Sequence, residues 1–333
     1  AVDSILQQSL KNIELILVDD GSTDGSSERC DEYAAADTRV KVIHQKNGGI
    51  CNARNAAFRL AKGTFIAYSD HDDEYLPGLL EKSYEVAVRE NSDIVKFCKS
   101  EMVTMNGVVL RERHTTLADQ TLNHDQIVAN YIDLLNGKVL ECVWDGLYRR
   151  EFLEKHDIHF DEFYKSGGED IDYMIKIMQH AERFTTMHDL FYLHYARTGI
   201  STSTKFNQAK LGSCQKLAKT VHCSFSTLGV DINEHKVEYI FQMMFTLVNS
   251  QIDILTSPQC TFSELEVIEK IKEMRQTDYF PNWFFKVCSL SVFKYSKKVG
   301  FSYFLFKHKL YKLMLLMFKT RKKQMDLKAI NSK

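Results

Sequence analysis

Phe65 to Pro77 reads FIAYSDHDDEYLP. Phe65, Ile66, Ala67 and Tyr68 form the short apolar run that a buried strand needs, and it stops at Asp70, His71, Asp72 and Asp73 before Pro77 opens a helix. Three aspartates so close together repel one another, and a bound cation or a set of hydrogen-bond donors keeps such a cluster ionised at a strand's end. Mg2+ or Mn2+ fits this tip, because either ion takes one or two protein carboxylates and completes its shell with water and phosphate oxygens. Taken alone, the stretch also reads as a solvated acidic turn that caps the next helix.

Working outward, Ile13 to Val18 (IELILV) predicts a second strand, ending in Asp19 and Asp20, and the DDGSTDG that follows predicts a loop. Helices are expected over Val2–Ser9, Ser26–Ala36 and Ile50–Leu60, and strands over Val40–His44 and Thr64–Ser69. Strands that alternate with crossover-length helices predict an α/β fold with a parallel sheet covered on both faces. Ligands of such sheets sit beyond the carboxyl ends of the strands. Both acidic clusters fall on that edge, which two unrelated solvated turns would not share.

The segments IELILVDDGSTDGS and HQKNGGICNARNAAFRLAKGTFIAYSDHDD resemble, in order and spacing, the nucleotide-sugar motifs of the family 2 glycosyltransferases of the GT-A fold. The resemblance covers roughly residues 2–101. It implies a GT-A (Rossmann-like) mixed sheet with helices on both faces. It also implies that Asp20 contacts the base or ribose of the donor, that Asp19 shapes that loop, and that Asp70 and Asp72 form a D-x-D pair with Asp72 as direct metal ligand. Gly48 and Gly49 stand at a helix start where bare N–H groups approach a phosphate. Arg54, one turn on, reaches either nucleotide or the aspartates, and both readings stay open.

Further along, Asp93–Lys99 predicts a strand, Asn106-Gly107 a hairpin turn, Asn123–Leu135 a helix, Val143–Tyr148 a strand and Arg150–His156 a short helix. The segment CVWDGLYRR resembles the family's stretch beside the acceptor pocket, so Trp144 and Asp145 are implied acceptor contacts. Asp145 and Gly146 stand where the family often has Asn and Lys. GGEDIDYMIKIM starts an amphipathic helix at Ile171–His180 with acids at its N-terminus, ordinarily dipole partners. The resemblance makes Glu169 an acceptor contact and Asp170 the general base. Tyr192–Ala196 is an expected strand, and RTGISTSTK after it resembles the family's loop over the diphosphate, with Arg197 and Ser201 as donor contacts.

A catalytic domain over 1–204 and a helical region over 205–333 are therefore expected, the latter with helices over Phe206–Leu228, Ile232–Thr256 and Phe262–Gln276 and two basic segments beyond Pro281. The 333 residues are 44% hydrophobic, ample for a core, and the eight cysteines form no C-x-x-C pair. With no secretory signal pattern in AVDSILQQSL, this predicts a cytoplasmic protein, peripheral on the inner face of a membrane. Phe284 to Lys333 holds thirteen lysines and arginines against one acid, Asp326. Tyr303, Phe306, Leu310, Leu313, Met314 and Met317 project on one side of a continuous terminal helix, which predicts an interfacial membrane helix; nucleic acid is not an expected partner, because the tail is lipophilic as well as basic. Ala1 already stands in the helix that follows the family's first strand, so the resemblance implies that this strand is lacking.

Together these readings predict a metal-dependent inverting glycosyltransferase that uses a nucleotide sugar, a UDP-sugar by preference, and a glycan or lipid-linked acceptor. The competing readings are a nucleotide-sugar-binding protein without turnover and a sugar nucleotidyltransferase.

Overall fold

A computed structural model describes residues 1–105, 108–165, 167–197 and 207–331, with the side chains of 105, 108, 110, 197 and 325–331 excepted. The chain forms two compact units, Ala1–Lys165 with Glu169–Ser201, and Ser166–Gly168 with Thr202–Lys333.

In the first unit α1 (Val2–Leu6) precedes β1 (Leu15–Asp19), α2 (Ser26–Ala36) and β2 (Val40–His44). β1 and β2 pair in parallel, from Leu15 opposite Val40 to Asp19 opposite His44, as the crossover helix requires. α3 (Ile50–Leu60) then leads into β3 (Phe65–Ala67), and β4 (Glu74–Tyr75) and α4 (Leu79–Arg89) follow. The apolar side of α4, Leu79, Leu80 and Ala87, closes over a core of Val95, Phe97, Trp144 and Tyr192.

β5 (Ile94–Met105) is central to this unit, and Ile94 to Cys98 are buried without alternation, the mark of a strand covered on both faces. β6 (Val108–His114), β7 (Gln120–Asn123), α5 (His124–Asn136), β8 (Gly146–Arg149), α6 (Arg150–Lys155), α7 (Glu169–Met178) and β9 (Arg183–Arg197) complete the unit. The larger sheet runs β3-β8-β5-β9-β4, with β6 on β5 and β7 on β9. β5 and β9 are parallel while β3, β4, β6 and β7 pair antiparallel with their neighbours, so the sheet is mixed. α5 starts at a reciprocal capping box between Asn123 and Gln126.

The structure corrects several sequence expectations. The first three strands do not share one parallel sheet: β1 and β2 form their own, and β3 takes β8 as an antiparallel partner. Residues 143–145 are loop rather than strand, because Asp145 is drawn to Lys96 and Lys99 of β5. The expected Tyr192–Ala196 strand is the end of a much longer one, whose first four residues, Arg183 to Thr186, pair with β7. The turn at Asn106-Gly107 lies outside the described residues.

The second unit is helical: α8 (Ala209–Thr227), α9 (Lys236–Met243), a π-helical turn over Met244–Asn249, α10 (Ser250–Leu255), α11 (Glu264–Met274), α12 (Ser289–Tyr295), α13 (Lys297–Lys307) and α14 (Tyr311–Asn331). The terminal basic segment is not one continuous helix. Lys309, with φ 59°, breaks it between α13 and α14, so a single helical wheel does not apply across it. Tyr303, Phe306 and Met314, expected on an outer face, are fully buried. Among the described residues no helix is long and apolar enough to cross a membrane.

Candidate functional site

α3 organises the polar side chains of the first unit. At its N-terminus the N–H groups of Gly48 and Gly49 each donate to the Asp20 carboxylate at 2.8 Å, and Gln45 Nε2 donates to the same group at 2.8 Å. Gly49 has φ 87°, a conformation that glycine adopts without strain. The two N–H groups expected to face a phosphate are thus occupied by Asp20, as the positive end of a helix favours. Asp19 accepts from Ser22 N at 2.9 Å and lies 3.0 Å from His44 Nδ1. These contacts, the histidine first, hold the Asp19 carboxyl well below its ordinary range and raise His44.

One turn into the same helix, Arg54 bridges two distant acids. Its Nη1 donates to Asp170 Oδ1 at 2.6 Å and its Nη2 to Asp70 Oδ1 at 3.0 Å. The guanidinium lies over the rings of Phe160 and Tyr68, its carbon 5.1 and 5.9 Å from the ring centres. Burial works against this charge, but Asp170, Asp70 and Glu169 outweigh it and raise the arginine further above its ordinary value. Arg54 thus makes the ion pairs that one of its two readings expected.

The segment that delivers Asp170 is also fastened to α3. Asn55 Nδ2 donates to the Phe160 carbonyl at 2.9 Å, and Phe160 N donates to Asn55 Oδ1 at 3.0 Å. Gly167 and Gly168, with φ 89° and 97°, turn the chain into α7. There the second oxygen of Asp170 accepts from Val143 N at 3.3 Å. Glu169 Oε2 is buried without a hydrogen-bond partner among the described residues. Burial first, then repulsion from Asp170, pushes the Glu169 carboxyl up. Burial likewise raises Asp70, with the nearby Arg54 opposing it.

Around the acidic tip the aspartates divide their tasks. Asp73 is fully buried and accepts from Tyr192 Oη at 2.8 Å and Tyr195 N at 3.0 Å, with His194 Nδ1 also at 3.0 Å. It is a latch that ties the tip to β9. Asp72 is half-buried beside it. Asp70, Asp72, Glu169 and Asp170 thus lie on segments that share one guanidinium. Among the described residues no three His, Cys, Asp or Glu side chains converge as a ready cage. A pair of carboxylates is nonetheless the usual protein share for Mg2+ or Mn2+ when substrate phosphates supply the rest, and on that chemistry Asp70 and Asp72 fit such an ion.

Trp144 and Asp145 take internal positions. Trp144 is buried, stacked on Tyr192 at 4.5 Å and on His194 at 4.9 Å, with Lys99 Nζ 4.6 Å from its ring centre. Asp145 is buried as well, and its two oxygens accept from Lys96, itself fully buried, and from Lys99 at 2.6 Å. The sequence reading placed both beside an acceptor; their side chains are committed to neighbours within the unit. It missed Asn55, Lys96 and Lys99, and the one available sign was a lysine inside the apolar run IVKFC. Arg197 ends β9, but its side chain, like all of Ser201, lies outside the described residues.

The profile described as glycosyl transferase family 2 matches residues 1–156. The glycosyltransferase EpsJ of Bacillus subtilis (strain 168) is 31% identical over 65% of this chain and 62% of its own. The cholesterol galactosyltransferase of Borreliella burgdorferi is 29% identical over 61% of this chain and 57% of its own. The chain therefore spans less than two thirds of the length of each of these relatives. Among solved structures, S. aureus TarS 1-349 in complex with UDP-GlcNAc superimposes with a TM-score of 0.65 over 97% of this chain and 86% of that one. At 17% identity this likeness establishes the GT-A fold and nothing finer.

Proposed function

We propose, from the match of residues 1–156 to the glycosyl transferase family 2 profile, that the protein moves a sugar from a nucleotide diphosphate donor, a UDP-sugar by preference, to a hydroxyl of a glycan or lipid-linked acceptor. The sugar inverts at its anomeric carbon, and the product serves surface polysaccharide synthesis. The observation that carries this reading is the bridge from Arg54 to Asp70 and Asp170, which gathers acids far apart in sequence around one cation.

Asp170 acts as the general base. The acceptor oxygen attacks the anomeric carbon while its proton passes to the carboxylate, and the bond to the diphosphate breaks with its electrons on the leaving oxygen. Arg54 and Val143 N orient that carboxylate, and a base so placed contributes about 10²–10⁴-fold. Asp19 and Asp20 shape the donor loop, with Gly48 and Gly49 holding Asp20 in place. A divalent metal on Asp72, with Asp70 beside it, would neutralise charge on the departing diphosphate. A lipid-linked acceptor would place the reaction at a membrane surface.

The test is incubation with a panel of nucleotide sugars and mixed glycan and lipid-linked acceptors, with the products resolved by mass and the new anomeric centre by NMR. Inverted product from one donor supports the reading. Retained configuration, or no transfer and no donor hydrolysis across the panel, overturns it.

A further inference from the structure

The last three helices of the second unit are apolar on two sides. Inward, α12 buries Val292, α13 buries Val299, Tyr303 and Phe306, and α14 buries Met314, Leu315 and Phe318. Outward, each turns an i,i+3 pair to solvent: Leu290 and Phe293 on α12, Phe301 and Phe304 on α13, Leu313 and Leu316 on α14. Leu290, Leu313 and Leu316 are 59%, 53% and 60% exposed. A helix at a protein's surface ordinarily places polar residues on the side away from the core. Here the outward side is apolar on three successive helices.

Cations surround these pairs. Lys294, Lys297, Lys298, Lys309 and Lys312 are exposed, and from Phe284 to Gln324 the sequence contains no Asp or Glu. Some basic groups nearby serve the fold: Lys319 pairs with Glu264 at 3.1 Å, and Lys307 Nζ donates to the Val287 carbonyl at 2.8 Å. α12 and α13 cross closely at Gly300, where an added Cβ would stand 2.2 Å from Phe293 Cα, so Phe293 lies against the turn that carries Phe301. Between α13 and α14 a cavity of about 250 Å³ is walled mainly by the apolar parts of its side chains, Phe301, Met317 and Phe318 among them, and the charges of Lys298 and Arg321 act on the partly buried Asp253. The combination of exposed apolar pairs and a run of positive charge without an acid in its sequence matches one surface in particular, the anionic face of a lipid bilayer.

We propose that α12, α13 and α14 form a docking surface for an anionic membrane, in which Leu290, Phe293, Phe301, Phe304, Leu313 and Leu316 enter the headgroup boundary and the exposed Lys294, Lys297, Lys309 and Lys312 meet the lipid phosphates. This inference stands on the second unit alone and does not depend on the sugar-transfer reading.

The experiment is co-sedimentation of the full chain with phosphatidylcholine vesicles and with vesicles of equal parts phosphatidylcholine and phosphatidylglycerol. The protein should pellet with the anionic vesicles and stay in solution with the neutral ones. Each lysine neutralised among Lys294, Lys297 and Lys312 should lower partitioning about fivefold, and added salt should mimic the loss. Leu290→Ser/Phe293→Ser, Phe301→Ser/Phe304→Ser and Leu313→Ser/Leu316→Ser should each reduce binding at least tenfold. Circular dichroism melts verify that these exposed changes leave the fold intact. Absence of pelleting, equal binding to neutral vesicles, or binding indifferent to all three double variants would overturn the proposal. So would a concentration-dependent dimer, read by light scattering, that the same pairs abolish, since the surface would then belong to a second copy of the chain.

Discussion

Asp145→Asn should destabilise the first unit more than any single change at its lysine partners. Asp145 is buried, and its oxygens accept from fully buried Lys96 and from Lys99 at 2.6 Å. The amide leaves two cations against a neutral group, and removing one partner of a buried pair costs about 3–5 kcal/mol. Lys96→Met is milder. It deletes the ammonium whose burial already draws its pKa down, and it leaves Asp145 paired with Lys99. What is lost is a charged hydrogen bond, about 1.5–3 kcal/mol. The chain has two tryptophans, Trp144 and Trp283, so Trp283→Phe makes Trp144 the single fluorescent reporter of the first unit. At roughly 2–4 °C per kcal/mol for a unit of this size, Asp145→Asn should lower its melting temperature by about 6–20 °C. Lys96→Met should lower it by roughly half as much. A Lys96→Met variant that melts below Asp145→Asn, or an Asp145→Asn variant within about 1 kcal/mol of wild type, would refute the reasoning.

Asp170→Asn should abolish transfer while donor affinity, measured by calorimetry, stays near wild type; Asp72→Ala should lose both, and wild-type turnover in Asp170→Asn would move the base to another carboxylate. Donor affinity should require Mg2+ or Mn2+, and equal affinity in EDTA would remove the metal from Asp70 and Asp72. His44 has its pKa raised by Asp19 first and Asp31 next, so its contribution to stability is fully present below its ordinary value near 6.5 and is lost as pH rises through the raised value. The melting difference between wild type and His44→Gln should therefore shrink from acid to alkaline pH, and a difference that grew would reverse the assignment.

The sequence was readable where chemistry is local. The run FIAYSD announces a strand with acids at its tip, and GGEDIDYMIKIM announces a helix with acids at its start; both are present as β3 with its tip and α7. It was unreadable where a side chain's role depends on a distant partner. Nothing near Asp73 indicates that Tyr192, His194 and Tyr195 will enclose it, since those residues arrive on another strand. Lys96 looks like the polar member of an alternating strand, yet it is buried because Asp145 comes to meet it. The terminal helices failed for a different reason: Lys309, at positive φ, ends one helix before the next begins, and of the residues projected outward Tyr303, Phe306 and Met314 are packed inside while Leu310 and Leu313 stay exposed.

α3 ties the DDGSTDG loop and the acidic tip to one element. Its first N–H groups hold Asp20, Arg54 holds Asp70 and Asp170, and Asn55 holds the backbone of Phe160 on the way to Glu169 and Asp170. Three segments that no sequence proximity connects are therefore registered to a single rigid element, and a shift of the helix along its axis would move all of them together. Arg54 is the tightest of these links, because both of its terminal nitrogens are engaged and its guanidinium lies over the neighbouring rings of Phe160 and Tyr68. A lysine in its place could not span two carboxylates in this fixed geometry. Asp170 is consequently held by one guanidinium N–H on one oxygen and a backbone N–H on the other, an arrangement that fixes the carboxylate's direction.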